Sequence, residues 1–506
     1  MKDAPMPHGT SPAALARLIA DILSLACVVA SLAALGSYLV ITVSRLGYPF
    51  DLEWMEGGMV DHVARIRAGQ PLYVSPSPAF VPFTYPPLFC WTAAVVARVV
   101  GLGYPALRIV AFASSLACVA LIGNIVRRET RSLYAAVVAM GLWAATYRTS
   151  GAWFDIARAD CLFLALTLGS FSLVRCGASR RMDALAALLL VLASLTKQTA
   201  FAVAIVLICA VAVMDFRRGL FLGIVTVVGM SACHGTLHLA TQGWYGYYVF
   251  DLPRRFTGRV LGPEILAFWT RDVLLNFGFA ALLAVAWLVR TIVGRGGSGW
   301  IDLGMAAGMV AGAWLPRMQY GGYDNTLIPA YAILAVLAGL TVGVVRDRNE
   351  KRPSRRHLRM AVAVLCLGQF ARLTYDPRAQ IPTTRDRREG QWLLEMLASI
   401  EGEVLVPYHG FWPSRAGATG AHRMAVSDVL GCDPKGQGPI LRAQFSDLRS
   451  SGRISAVVLD RDDWFFMDEV NRHYPRAMPA FRDSTTFRPR TGWPIRPMWI
   501  YLPGES

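Results

Sequence analysis

The stretch Asp51-Leu52-Glu53-Trp54-Met55-Glu56-Gly57-Gly58 sets three carboxylates within six residues, just after an apolar run from about Ala13 to Val43. That run is longer than the about 7–15 apolar residues of a signal peptide and exceeds the ~20 needed to cross a bilayer, so it reads as a retained first span. The acids therefore stand immediately outside a membrane. Behind them, Asp61, His62, Arg65 and Arg67 share a predicted amphipathic helix with Val60, Val63, Ala64 and Ile66, a pattern expected to lie along the membrane surface. A carboxylate held at that level reaches the junction between a lipid headgroup and water. A solvated acidic loop is the alternative reading of these eight residues alone.

The remainder of the chain keeps to the same environment. Of 506 residues, 54% are hydrophobic and 17% are charged, where a soluble protein carries about 25% charged residues. The apolar excess comes in blocks of about 20 residues, which excludes a soluble enzyme, a disordered chain and a secreted disulfide scaffold. The net charge of +16, from 50 Lys+Arg against 34 Asp+Glu, is read as orienting helices in a bilayer. No nucleic-acid motif interrupts the blocks, so no nucleic-acid partner is expected. Of nine cysteines, only Cys432 lies in the polar C-terminal part; without an internal bridge that part is expected to fold on its own core.

Basic clusters at Arg127/Arg128/Arg131, Arg175/Arg180/Arg181, Arg217/Arg218, Arg290/Arg295 and from Arg346 to Arg359 separate the apolar blocks. Placing all of them on the cytoplasmic side requires an even number of crossings between neighbours. Spans at about 14–43, 106–126, 133–149, 159–175, 183–196, 199–214, 219–239, 273–291, 300–315, 325–345 and 358–374 satisfy this, giving about 11 transmembrane helices. The N-terminus is then cytoplasmic and the C-terminus outside. Residues 86–100 are left over; they open with Pro86-Pro87, contain Arg98 and read as a juxtamembrane or re-entrant helix. The fold class is thus a multi-pass α-helical membrane protein. Residues 1–375 form its membrane module, with a first outer loop at 44–105, and 376–506 a small extracytoplasmic α/β domain. In that domain 403–406 and 454–459 read as strands and 387–400 as a helix.

Further candidates fall on the same outer side. Phe83-Thr84-Tyr85-Pro86-Pro87 sets aromatics at the interface. Asp155 and Arg158 are spaced to pair on one helix face, and Asp160 opens the fourth span at the edge of the hydrocarbon, where an ionisable group usually lines a polar cavity; a helix-capping role is the alternative. Lys197 is the only lysine between Lys2 and Lys351. At the rim of a cavity holding Asp51 and Asp160 it suits an anionic headgroup such as a phosphate, with a snorkelling side chain as the alternative. The next outer loops add Arg254, Arg255 and Arg259, then Arg317, Tyr320, Asp324 and Asn325, all candidate ligand contacts. His234 and His238, one helical turn apart, could hold a divalent metal with a nearby carboxylate, or could simply pack by hydrogen bonding. No other cofactor is implied.

Taken together, the acidic first loop, Gly69-Gln70-Pro71-Leu72-Tyr73, Pro86-Pro87-Leu88, Asp160 and Leu195-Thr196-Lys197 resemble, in order and spacing over about 14–345, the GT-C superfamily of integral-membrane glycosyltransferases. The chain is similar to the lipid A aminoarabinose transferases, the protein O-mannosyltransferases and the lipopolysaccharide-core transferases. The resemblance implies transfer of one sugar, with inversion, from a polyprenyl-phosphate donor to a lipid, glycan or protein acceptor at the outer face of a bacterial inner membrane. It implies Asp51 as first-loop catalytic acid, Asp160 as second acid and Lys197 as the donor-phosphate contact, with Arg255 or Arg317 assisting. Glu56, Tyr85, Arg158, Tyr320 and Asn325 are the expected substrate contacts. Two departures stand out: Leu52 separates Asp51 from Glu53 where the family usually has adjacent Asp-Glu, so either acid could serve, and Tyr85 replaces a lysine. A lipid-linked sugar transporter or flippase, or a non-catalytic sugar-lipid-binding subunit, are the alternatives.

Overall fold

A computed structural model describes residues 12–177, 179–256, 262–294, 299–319, 321–347, 353–415, 420–483 and 485–504. Arg259, Arg295 and Tyr320 lie outside the described residues. Eleven helices stand at the eleven predicted segments: α1 (Pro12–Leu46), α4 (Tyr104–Thr130), α5 (Leu133–Ala145), α6 (Asp160–Cys176), α7 (Arg180–Ser194), α8 (Thr199–Met214), α9 (Phe216–Ala240), α10 (Asn276–Val293), α11 (Gly299–Arg317), α12 (Ile328–Asp347) and α13 (Pro353–Arg372). Two more, α2 (Glu56–Arg67) and α3 (Leu88–Val100), lie between the first two. By length and composition, the stretches over α1, α4, α9, α10 and α12 are five helices able to cross a membrane.

Local chemistry sets the helix starts. The side chains of Ser132, Ser179 and Asp215 accept hydrogen bonds from the backbone N–H of Ala135, Met182 and Arg218, capping α5, α7 and α9. Helix α12 is apolar on all sides and is correspondingly central, with Ala330 to Ala338 buried. It packs on α4, α5, α10 and α11. Gly304, Gly308 and Gly312 repeat every fourth residue in α11 and lie against α8; a Cβ at Gly304 would come within 2.3 Å of the Ala210 methyl. Small residues at this spacing let two backbones approach.

The C-terminal part contains α14 (Thr384–Ala398), β1 (Glu403–Leu405), α15 (Arg423–Cys432), α16 (Gln437–Ser450), β2 (Ile454–Leu459), β3 (Arg476–Pro479) and β4 (Trp499–Leu502). The sheet order is β1-β2-β4-β3, with β1 and β2 parallel and β4 antiparallel to both its neighbours.

Two expectations need correction here. Among the described residues the C-terminal part has no separate core: Phe50 of the first loop packs edge-on against Trp412 and Phe487, with ring centroids 5.7 and 5.2 Å away, and both clusters that hold its buried residues also hold residues of the first loop and the helices. The second correction concerns α2, whose N-terminal half is buried inside the protein rather than laid along its surface. Its residues Glu56 to Val60, His62 and Val63 are buried under the loop 407–412 and against α3 and α4. Glycines make this burial possible. A Cβ at Gly57 would sit 2.0 Å from the Gly410 carbonyl oxygen, and one at Gly410 would sit 2.5 Å from the Gly58 nitrogen.

Candidate active site

The acidic loop resolves into three carboxylates with three different fates. Glu56 opens α2 and is fully buried. It accepts from Arg108 Nε at 3.0 Å and Nη2 at 2.6 Å, and from the backbone N–H of Leu52 and Ala157, both at 2.7 Å. Arg108 spends its other donors on the carbonyls of Arg45, Tyr48 and Phe50. Burial alone would raise the Glu56 carboxyl, but the Arg108 guanidinium overrides it and holds the group below its ordinary value. Glu56 is therefore a clamp that closes the loop, not the substrate contact expected from the sequence.

Glu53 faces Arg158, whose Nη1 lies 3.1 and 3.0 Å from its two oxygens, while Nη2 donates to the Tyr85 hydroxyl at 2.8 Å. Burial pushes Glu53 up to about 7 despite that guanidinium. Arg158 also interacts with Asp160. The expected pairing of Asp155 with Arg158 does not occur: residues 151–159 are a turn rather than helix, and Asp155 instead meets Arg45 at 3.2 Å and Tyr147 at 2.9 Å.

Asp51 is the least satisfied acid of the loop. Its Oδ2 lies 2.9 Å from Nδ1 of His409, a residue of the C-terminal part, and its buried Oδ1 has only the Tyr104 hydroxyl beside it among the described residues, which helps hold the carboxyl down. Burial raises the Asp51 carboxyl, and His409 opposes the rise. The far nitrogen of His409, Nε2, lies 2.9 Å from Asp460 Oδ2. Burial would lower His409, but Asp460 and Asp51 outweigh it and raise the imidazole to about 10. Asp51 and His409 line a narrow recess of about 10 Å³ with Tyr48, Trp54, Arg488 and Ile495.

At the start of α6, Asp160 Oδ1 accepts from Lys197 Nζ at 2.6 Å and from Asn325 Nδ2 at 3.0 Å. Asp160 thus joins Lys197 and Asn325 directly and connects to Glu53 through Arg158. Other expected contacts lie elsewhere. Arg255 is bonded to Asp433, which also accepts from Tyr247 at 2.9 Å, so it fastens the 244–256 segment to the end of α15. Arg317 is held between Asp272 at 2.9 Å and Asp324 at 3.1 Å, leaving its charge neutralised rather than offered to a phosphate. His234 uses Nε2 on Ser194 at 3.0 Å and Nδ1 on Tyr245 at 2.5 Å, so neither nitrogen is left for a metal, and His238 is exposed. Among the described residues no group of three or more His, Cys, Asp or Glu could hold a metal ion, and the cation beside Asp160 is Lys197.

His409, Asp460, Arg108 and Arg45 were missed in the sequence. An arginine four residues into an apolar helix, as Arg108 is in α4, was a usable signal, because such a charge is buried only when paired. His409 gave none: its partner lies 358 residues away.

The fold of this chain, helical bundle and C-terminal part together, is shared with solved structures of two other proteins. No family model and no curated protein matches the sequence. Among solved structures the chain is similar to ArnT from Cupriavidus metallidurans bound to undecaprenyl phosphate, with TM-score 0.61 and 13% identity, covering 93% of this chain and 97% of that one. It is also similar to the oligosaccharyltransferase AglB from Archaeoglobus fulgidus, in complex with an inhibitory peptide and a dolichol-phosphate, with TM-score 0.54 and 12% identity over 85% of this chain and 69% of that one. At such identities the likeness is one of fold.

Proposed function

We propose that the chain is a membrane glycosyltransferase that moves a monosaccharide from a polyprenyl-phosphate donor to a lipid, glycan or protein acceptor at the outer face of the bacterial cytoplasmic membrane. The observation that carries this reading is the meeting of acids and cations from three separate loops at one end of the bundle. Glu53 with Arg158, and then Asp160 with Lys197 and Asn325, form two linked groups there, and Asp51 stands two residues before Glu53 in the same loop. Arg175 closes the other end of α6, 15 residues from Asp160 and about 22 Å away at 1.5 Å per residue. The neighbours in fold that hold undecaprenyl phosphate and dolichol-phosphate support the donor class.

In this reading Asp51 takes the proton of the acceptor hydroxyl as its oxygen attacks the anomeric carbon, because Asp51 Oδ1 faces only the neutral Tyr104 hydroxyl whereas both oxygens of Glu53 are committed to Arg158. The bond from the anomeric carbon to the donor phosphate breaks with its electron pair on the phosphate, giving inversion. Lys197 has three N–H donors, of which Asp160 takes one, so two remain for the phosphate as its charge grows. No step is routed through a metal. Outward placement of the first loop and of 376–506, with eleven crossings and a cytoplasmic N-terminus, belongs to the same proposal.

Purified protein incubated with a polyprenyl-phosphate sugar is expected to release free polyprenyl phosphate, and Asp51→Asn to release it at least about 100-fold more slowly. Unchanged release in that variant removes Asp51 from the mechanism. Absence of release from any such donor removes the reading.

A further inference from the structure

The C-terminal part does not merely rest on the acidic loop; it places a side chain on it. Parallel strands β1 and β2 run side by side, and the chain leaving each one carries one member of a pair: His409 lies four residues after β1, and Asp460 directly follows β2. Groups gathered at the carboxyl ends of parallel strands are the usual way such a sheet presents a site. The imidazole is 3% exposed and lies over the Trp412 ring at 4.7 Å, so its plane is fixed. Its two nitrogens lie 2.9 Å from Asp51 on one side and 2.9 Å from Asp460 on the other. Asp460 therefore decides which way the ring points, and the ring decides where the Asp51 carboxylate points. Gly57 and Gly410 let the two backbones come close enough for this, since a Cβ at either would clash.

We propose that the C-terminal part is a working piece of the active site, with His409 as a positioning residue that fixes Asp51 through Oδ2 and leaves Oδ1 to act, and Asp460 as the group that orients His409. This rests on the transfer reaction proposed above. A carboxylate buried as Asp51 is would otherwise turn freely and drift toward its neutral form, and a small misplacement of a reacting group is costly in rate. The helical bundle alone holds a catalytic acid without its support.

The test uses the full chain in lipid nanodiscs, with a polyprenyl-phosphate sugar as donor, and compares wild type, His409→Gln and Asp460→Asn. His409→Gln is expected to lower kcat by about 10–100-fold while KM for the donor stays within about twofold. The pH profile separates positioning from a structural role. His409 is faced by Asp51 from the first loop, Asp460 after β2, His422 at the start of α15 and Arg488 across the cavity. With Asp460 neutralised, the imidazole loses one of the two carboxylates that keep it charged to about pH 10. In Asp460→Asn, kcat should then fall as pH rises through a lower value than in wild type. If His409→Gln does not fold, Asp460→Asn, which keeps a carbonyl to accept from Nε2, carries the pH measurement alone. Wild-type kcat in both variants, or a uniform loss with an unshifted profile, overturns the positioning role while wild-type release of polyprenyl phosphate leaves the transfer reading standing. No release by wild type removes both.

Discussion

Asp51 and Glu56 are five residues apart in one acidic loop, and both are buried, yet their surroundings are opposites. Glu56 receives four donors, two from Arg108 and two from the backbone, and its carboxyl is held below the ordinary range. Among the described residues Asp51 has His409 on Oδ2, only the Tyr104 hydroxyl beside Oδ1, and a carboxyl pushed upward by burial. A buried acceptor left unmade costs about 1–3 kcal/mol, so a fold keeps one where something else is meant to fill it. A saturated carboxylate maintains shape; an unsaturated one beside a cavity is available for chemistry. Residue type and spacing along the chain do not distinguish the two, because the distinction lies in what packs around them.

The largest separation between the two acids is expected in turnover. Asp51→Asn should reduce release of polyprenyl phosphate by about 10²–10⁴-fold, with the protein still folded, since Asp460 remains to pair with His409. Comparable activity in Asp51→Asn and wild type would erase the contrast.

Glu56→Gln should do the reverse. It leaves Arg108 as an uncompensated cation with no exposure, a change that costs about 3–5 kcal/mol in a buried pair. The expected result is a lower unfolding temperature and exposure of the first loop to protease. Specific activity per folded molecule should fall much less than in Asp51→Asn. If instead Glu56→Gln is stable and inactive, Glu56 belongs with the reacting groups.

Much of this arrangement could be read from the sequence, for a physical reason that also marks the boundary. Apolar block length and basic clusters located all eleven helices of the bundle, because each depends on local composition. The strands at 403–405 and 454–459 were equally local. The partnership of Asp160 with Lys197 was legible because both stand at the ends of helices on one side of the bundle. The roles of Arg255 and Arg317 were not, since a surplus of cations at one face does not reveal that Asp433, Asp272 and Asp324 already neutralise them. The docking of the C-terminal part was not legible either. It depends on close backbone approach at Gly57 and Gly410 and on a histidine contact spanning 358 residues.

A smaller effect is expected at Lys197. Replacing it with Met removes the ammonium while keeping much of the stem, so KM for the donor should rise about tenfold, equivalent to one charge-assisted hydrogen bond. Lys197→Arg should restore part of that affinity. An unchanged KM in Lys197→Met would leave Asp160 and Asn325 as a purely structural pair.

The finest test sets three histidines around the loop against each other. His62 donates from Nδ1 to the Gly58 carbonyl and accepts at Nε2 from the Phe83 N–H; His422 donates from Nε2 to the Trp54 carbonyl and accepts at Nδ1 from the Met424 N–H. Both are neutral, lowered by burial to about 4 and about 3. Unfolded, each would bind a proton near its ordinary value of about 6.5. The unfolded state therefore holds more protons between pH 6.5 and 4, and stability falls as pH drops through that window. His409 is the opposite case, raised to about 10 in the folded chain. Its contribution is complete below pH 6.5 and is lost as pH climbs through 10. Thermal unfolding followed from pH 4 to 10.5 should thus show an acid limb that flattens in His62→Gln and an alkaline limb that flattens in His409→Gln. An alkaline limb of wild-type steepness in His409→Gln would mean that the imidazole is not held between the two carboxylates. Asp51 would then belong with Glu56, as one more acid that only keeps the loop in shape.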